Sequence, residues 1–424
     1  MKSGRTFPQI GEHSGKMSGR YAGQGGGTLP ASLWALAVGA LVMGPFLAHL
    51  STSLQAGSAA QGNLLEQYSA DASIEFAIWK LLNDQTYRNS VDVTPGTPVS
   101  IAPAVTINGI TTSATADAIP IGTWTDMAFP PVNFGAGGAL AYDGGDYIYA
   151  FVGGNTNTFG RYRISTNSWQ ARTSAPANVD AGGALAYDGG DYIYALRGAN
   201  TRNFWRYSIS GNSWTVMRQT PRRMGAGASL AYTGGNFIYA MRGNNNRRFS
   251  RFRISQNNWQ GRRRTPSRVR EGGALAWDGG NYIYALRGRN NNRFWRYSIS
   301  GNSWSTMANT LASVTGGGSL AYTGGDYIFA FRGNTNTGFW RYQISQDLWI
   351  PIEPAPATVE FGGALAYDGG SEIYALRGNT QNNFWRYTIE PPEFDLSATA
   401  GGFTIDARIR ISGSTVTVLQ WDIN

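Results

Sequence analysis

Apolar and polar positions alternate along most of this chain in short bursts, and the bursts recur. One unit reads Ala184-Leu185-Ala186-Tyr187, then Asp188-Gly189-Gly190-Asp191, then Tyr192-Ile193-Tyr194-Ala195-Leu196. A Gly/Asn/Thr stretch follows, then Phe204-Trp205-Arg206-Tyr207-Ser208-Ile209, Ser210-Gly211-Asn212-Ser213 and Trp214-Thr215-Val216-Met217. The apolar bursts are rich in aromatic and branched side chains and read as strands. Between them lie tight turns, where glycine reaches positive φ without steric cost. Each unit therefore predicts four antiparallel strands, the fourth opening on a tryptophan.

The spacing is strict. Leu140, Leu185, Leu230, Leu275, Leu320 and Leu365 stand 45 residues apart, as do Trp169, Trp214, Trp259, Trp304 and Trp349. Four strands in a unit of this length describe a propeller blade, not a helical solenoid. The sixth unit has Phe384-Trp385-Arg386-Tyr387 but no tryptophan strand after it, and Trp124 lies 45 residues before Trp169. The outer strand of the last blade is thus expected from the front of the repeats. Closure of that kind leaves only short, protected sheet edges. The expectation is a mainly β chain with a six-bladed β-propeller over residues 119–390.

The run Gly153-Gly154 followed by Tyr162-Arg163-Ile164-Ser165-Thr166-Asn167-Ser168-Trp169 resembles a kelch repeat. The other units keep the first glycine and replace the second by Ala199, Asn244, Arg289, Asn334 or Asn379, with an arginine before the glycine. The resemblance implies a kelch-type propeller.

Ahead of the repeats, residues 1–27 are polar and Gly-rich with Lys2, Arg5, Lys16 and Arg20, a basic disordered leader. Ala31 to Leu50 is an apolar run of 20 residues, the length a helix needs to cross a bilayer. Basic residues before it predict a single-pass anchor with a cytoplasmic N-terminus and the rest outside; a cleaved secretory signal is the alternative. Gln61 to Asn83 reads as an amphipathic helix with Leu64, Leu65, Tyr68, Ala72, Phe76, Trp79 and Leu82 on one face, so residues 28–90 form one helical segment. Strand patterns then follow at Val91-Asp92-Val93, Val99-Ser100-Ile101 and Val105-Thr106-Ile107, with Asn108-Gly109 as a hairpin turn. Three more lie after the ring, from Phe394, Phe403 and Val416. Residues 91–118 and 391–424 are expected to pair into one small discontinuous β-domain.

From Gly27-Thr28-Leu29-Pro30 to Asn83 the chain resembles type IV pilin-like proteins, minor pilins in particular, with Pro45 inside the apolar run. The fifth residue after Gly27 is Ser32, where pilins carry glutamate. The resemblance implies a cell-surface, pilus-associated protein that meets other pilin-like subunits, with the propeller inserted in a pilin-like domain.

Composition narrows the chemistry. There are no cysteines, and His13 and His49 precede the repeats. The ring thus has no soft ligands for zinc, copper or haem, and no cofactor or metal is expected. The net charge of +9 is uneven: from Arg218 to Arg293 there are sixteen arginines against Glu271 and Asp278. The loops between second and third strands, and between one blade and the next, must emerge on one face. The chain enters the ring near Thr123 and leaves near Glu390, on the opposite, tight-turn face. The long-loop face is then expected to point away from the membrane. It carries Arg247, Arg248, Arg262, Arg263, Arg264, Arg268, Arg270, Arg289 and Arg293, a basic sector suited to carboxylate, sulfate or phosphate groups. Arg161, Arg206, Arg251, Arg296, Arg341 and Arg386 recur in every unit and read as scaffold along neighbouring rings.

The expected function is display of the propeller at the cell surface for adhesion, binding an acidic polysaccharide, another polyanion or a protein partner. Two alternatives stand beside it. One is a structural filament subunit. The other is a carbohydrate-active enzyme using paired carboxylates, for which Asp180 and Glu360 occupy equivalent places. No clear catalytic constellation supports an enzyme.

Overall fold

A computed structural model describes residues 60–101, 104–107, 109–333 and 335–424. The basic leader and the apolar run from Ala31 to Leu50 lie outside the described residues. Among the described residues no helix is long and apolar enough to cross a membrane. The chain divides into two compact units, Pro120–Pro391 and the pair Met1–Ile119 with Pro392–Asn424.

The unit Pro120–Pro391 is a β-propeller of six four-stranded antiparallel sheets. Blade 1 holds Ala139–Tyr142, Tyr147–Phe151, Phe159–Arg163 and Ser168–Ala171. Blades 2 to 6 begin at Ala184–Tyr187, Ser229–Tyr232, Ala274–Trp277, Ser319–Tyr322 and Ala364–Tyr367. The six first strands neighbour one another in a closed cycle. The fourth strand of blade 6 is Thr123–Asp126, paired with Phe384–Thr388 so that Trp124 faces Tyr387. Thr123 and Thr388 are partners, as Ser213 and Ser208 are across the tight turn of blade 2, so both ends of the ring segment lie on the tight-turn face.

The recurring Asn-x-Trp is an inter-blade clasp. In blade 1, Asn167 Oδ1 accepts the Ala128 N–H at 2.7 Å while Trp169 Nε1 donates to the Ala128 carbonyl at 2.8 Å. Asn212 with Trp214 grips Thr173, and Asn302 with Trp304 grips Arg263. In these blades both backbone polar groups of one residue at the edge of the preceding blade are therefore satisfied by the next blade. The asparagine is required by its backbone as well, because Asn167, Asn212 and Asn302 have φ between 45° and 48°. Neighbouring blades also approach closely ahead of their first strands: at Gly182, φ 90°, a Cβ would lie 2.3 Å from the Gly225 carbonyl oxygen of the neighbouring blade.

The scaffold arginines lie over rings, as Arg161 over Tyr147 at 3.7 Å and Arg206 over Tyr192 at 4.1 Å. Blade 6 differs: Glu372 replaces the tyrosine, and Arg386 Nε lies 3.5 Å from its carboxylate.

The other unit is a helical layer on a six-stranded antiparallel sheet. Its long strands are Ile110–Ile119, Glu393–Ala400, Phe403–Ser412 and Thr415–Ile423. Helix α1 spans Ala60–Asn83 and α2 spans Gln85–Asp92. Two expectations fail here. The buried stripe of α1 is Ala70, Ile74, Ala77, Ile78 and Leu81; of the expected face Phe76 packs partly against this core, whereas Leu64, Tyr68, Trp79 and Leu82 are exposed. Small residues win because the facing strands carry Ala114, Ala116, Ala118, Ala398 and Ala400, and the layers approach closely enough for Ser73 Oγ to reach Thr112 Oγ1 at 2.6 Å. Nor is Val91-Asp92-Val93 a strand. Asp84 caps α2 by accepting the Tyr87 N–H, Arg88 pairs with Asp92 one turn later, and Val91 is drawn into the core.

Candidate anion-binding surface

Each loop between second and third strands is pinned to the loop that leads into the next blade. Asn246 bridges to Val269 and Asn291 to Val314. Arg287 Nε donates to the Arg268 carbonyl at 3.2 Å, and the Arg289 N–H to the Glu271 carbonyl at 2.8 Å. The segment Thr265–Glu271 therefore runs between Arg247-Arg248 on one side and Arg287-Arg289 on the other. All nine arginines singled out from the sequence fall on these loops or at their roots, and the pinning makes them one sector.

They are not equivalent. Arg247 Nε donates to the Thr265 carbonyl at 2.7 Å, and Arg262 Nε to the Tyr297 hydroxyl at 3.0 Å. Both guanidinium groups hold the ring together. Arg270 pairs with Glu271 at 3.0 Å, the one ion pair of the sector among the described residues. The peptide of Arg263 is gripped by the Asn302–Trp304 clasp while its side chain is exposed. Arg248, Arg264, Arg268, Arg289 and Arg293 are exposed as well, and none of them has a carboxylate partner among the described residues. The loop backbone is strained beneath them: Gly288, Arg289 and Asn290 are left-handed in succession, with φ of 65°, 61° and 51°.

The second residue of the third strand is Trp205, Trp295, Trp340 or Trp385 in blades 2, 4, 5 and 6, each buried against the preceding blade. Blade 3 has Ser250, paired with Gly261 across the sheet. An open notch of about 330 Å³ lies there, floored by Met224, Ala240 and Trp259 and rimmed by Arg222, Arg242, Arg248 and Arg264. No carboxylate lines it. Arg242 is tied to the Arg223 carbonyl through Nε at 2.8 Å. Its guanidinium titrates below the ordinary arginine value, first because of burial and then because Arg248 and Arg222 repel its charge. Burial likewise lowers Arg287, with Arg289 and Arg293 adding to the effect. Arg222 and Ser250 were missed in the sequence; the departure of Phe249-Ser250-Arg251-Phe252 from Phe204-Trp205-Arg206-Tyr207 was the available clue.

Asp180 and Glu360 lie at equivalent places in blades 2 and 6, with Gly135 of blade 1 at the place between them. Asp180 Oδ1 accepts the Ala181 N–H at 2.8 Å, a local loop bond.

No known family profile matches the sequence, and no curated protein matches it. Solved structures similar to it include that of YjhT, at 12% identity and a TM-score of 0.49, covering 69% of this chain and 99% of that one. The WD40 repeats of RRP9 align at 10% identity and 0.46, covering 65% and 100%. The propeller assignment rests on the strand topology itself.

Proposed function

We propose that this chain is a surface-displayed binding protein, a kelch-type propeller on a pilin-like, membrane-rooted segment, whose long-loop face captures an extracellular acidic polysaccharide. The observation that carries the reading is the set of exposed guanidinium groups of Arg248, Arg263, Arg264, Arg268, Arg289 and Arg293, gathered on one face with a single ion pair in their sector. Unneutralised charge of one sign raises the local concentration of polyanions and speeds encounter. The planar guanidinium fork suits carboxylate and sulfate oxygens. Both ends of the ring segment lie on the tight-turn face, opposite the long loops that carry these arginines. The apolar run and its basic flank support membrane anchoring.

The test is binding of heparin and of an uncharged dextran at low and high salt. Heparin should bind and weaken as salt rises. Replacing Arg248, Arg263, Arg264 and Arg268 together by serine, all exposed side chains, should weaken binding at least tenfold. Equal binding of dextran, or heparin binding indifferent to these substitutions, would overturn the reading.

A further inference from the structure

We propose that the notch at Ser250 is a binding pocket for one acidic sugar unit, a pyranose ring whose carboxylate or sulfate lies on the arginine rim. The inference rests on the acidic-glycan reading above and narrows it to one place. Three observations carry it.

The first is shape. A buried indole occupies the corresponding space at four of the six blade interfaces, so the empty volume is slot-like and large enough for a ring. Its volume of about 330 Å³ is at the low end for small-molecule sites, fitting a single ring better than a stretch of polymer. The second is lining. Met224, Ala240 and Trp259 give an apolar floor that suits the C–H face of a sugar, and Ser250 supplies a hydroxyl. The third is charge. Arg222, Arg248 and Arg264 stand at the rim beside Arg242 with no carboxylate among them, so an incoming anion meets several forked donors and no competitor. Arg242 is held in unfavourable electrostatic surroundings by burial and by Arg248 and Arg222, and an anion would relieve that.

The experiment compares the full chain with two variants. Ser250→Trp with Met224→Val rebuilds the Trp205–Val179 arrangement of blade 2 and fills the slot while leaving every arginine in place. Arg248→Ser with Arg264→Ser keeps the slot and thins the rim. The probes are glucuronate, glucose 6-sulfate, glucose and inorganic sulfate, titrated by calorimetry, with heparin in parallel. Glucuronate or glucose 6-sulfate should bind the wild type, glucose should bind at least tenfold more weakly, and each variant should lose at least tenfold in affinity for the acidic sugars. Heparin should keep its salt-dependent binding to the filled-slot variant. Acidic-sugar binding that survives in the filled-slot variant, with a melting temperature no lower than wild type, would overturn the pocket while leaving the broader surface reading intact. Inorganic sulfate binding as tightly as the sugars would remove the ring from the proposal. Absence of heparin binding to the wild type would sink the broader reading instead. If the filled-slot variant does not fold, undiminished acidic-sugar binding by the rim variant decides against the pocket.

Discussion

Blades 1 and 3 both lack the tryptophan that stands second in the third strand elsewhere, having Gly160 and Ser250 in its place. Their neighbours answer differently. The residue 26 positions earlier is Val179, Val269, Val314 or Val359 where the tryptophan is present, but Phe134 before blade 1 and Met224 before blade 3. Phe134 is 1% exposed, with its ring centroid 6.0 Å from that of Trp169, so an aromatic ring from the loop takes up space the strand no longer fills. Met224 is buried too, yet a flexible thioether leaves the notch open. The surroundings diverge as well: Pro130, Pro131 and Val132 lead into blade 1, whereas Thr220, Pro221, Arg222 and Arg223 lead into blade 3. One missing side chain thus gives a repacked interface in one place and a basic cavity in the other. The vacancy supplies volume, and the neighbouring loop decides what the volume is for.

The largest effect is expected where the indole is present. Trp295→Ala, at a site 2% exposed between blades 3 and 4, should cost about 3–5 kcal/mol in urea unfolding. A loss below about 1 kcal/mol would mean that the indole does not seal the interface, and the comparison would lose its reference. Next comes the compensating ring. Phe134→Val should cost roughly 2–4 kcal/mol, because blade 1 would then lack both aromatic side chains. It should gain no affinity for glucuronate, since no arginine cluster rims that gap. Acquired binding there would show that volume alone suffices.

Filling blade 3 should go the other way. Ser250→Trp with Met224→Val is expected to stabilise the ring by about 0.5–2 kcal/mol, the range typical of cavity filling. Destabilisation beyond that range would show that the notch is narrower than an indole and that Met224 is its true filler.

The ring and its seam were legible because a fixed period of 45 constrains every unit at once, and the orphan Trp124 falls on that period. Face assignment followed from strand direction alone. The helical layer was less legible. Counting large apolar residues selects Leu64, Tyr68 and Trp79 for the core of α1, yet the face that meets the alanine-rich sheet is the stripe Ala70, Ile74, Ala77, Ile78 and Leu81. The shape of the partner decides which face is buried, and a helix pattern read by itself carries no record of it. For the basic sector, the loops were found but not the division of labour within them. Arg247 and Arg262 read like their neighbours in sequence, and only the bonds to Thr265 and Tyr297 show them to be structural. The notch needed one more step, the comparison of Ser250 with its counterparts in the other blades.

The smallest effect tests whether compensation between neighbours is a general habit of this ring. In blade 6, Glu372 stands where blades 1, 2, 4 and 5 have Tyr147, Tyr192, Tyr282 and Tyr327 and blade 3 has Phe237. The arginine across the strand pair keeps a partner by changing its kind: Arg251 lies 4.1 Å over the Phe237 ring, whereas Arg386 pairs with the Glu372 carboxylate, which also accepts from Thr388 Oγ1 at 2.9 Å. A partly exposed ion pair and a partly exposed cation–π contact are each worth about 0–1 kcal/mol. Glu372→Tyr should therefore change stability by less than about 1 kcal/mol at low salt. The sensitive readout is the salt dependence. The wild-type contribution should shrink as salt screens the pair, while the variant's should shrink less, so the two unfolding curves should diverge in favour of the variant. Curves that remain parallel from low to high salt would mean that the Arg386–Glu372 pair contributes nothing to the fold. Blade 6 would then be an uncompensated departure, unlike blade 1, where Phe134 replaces the lost ring.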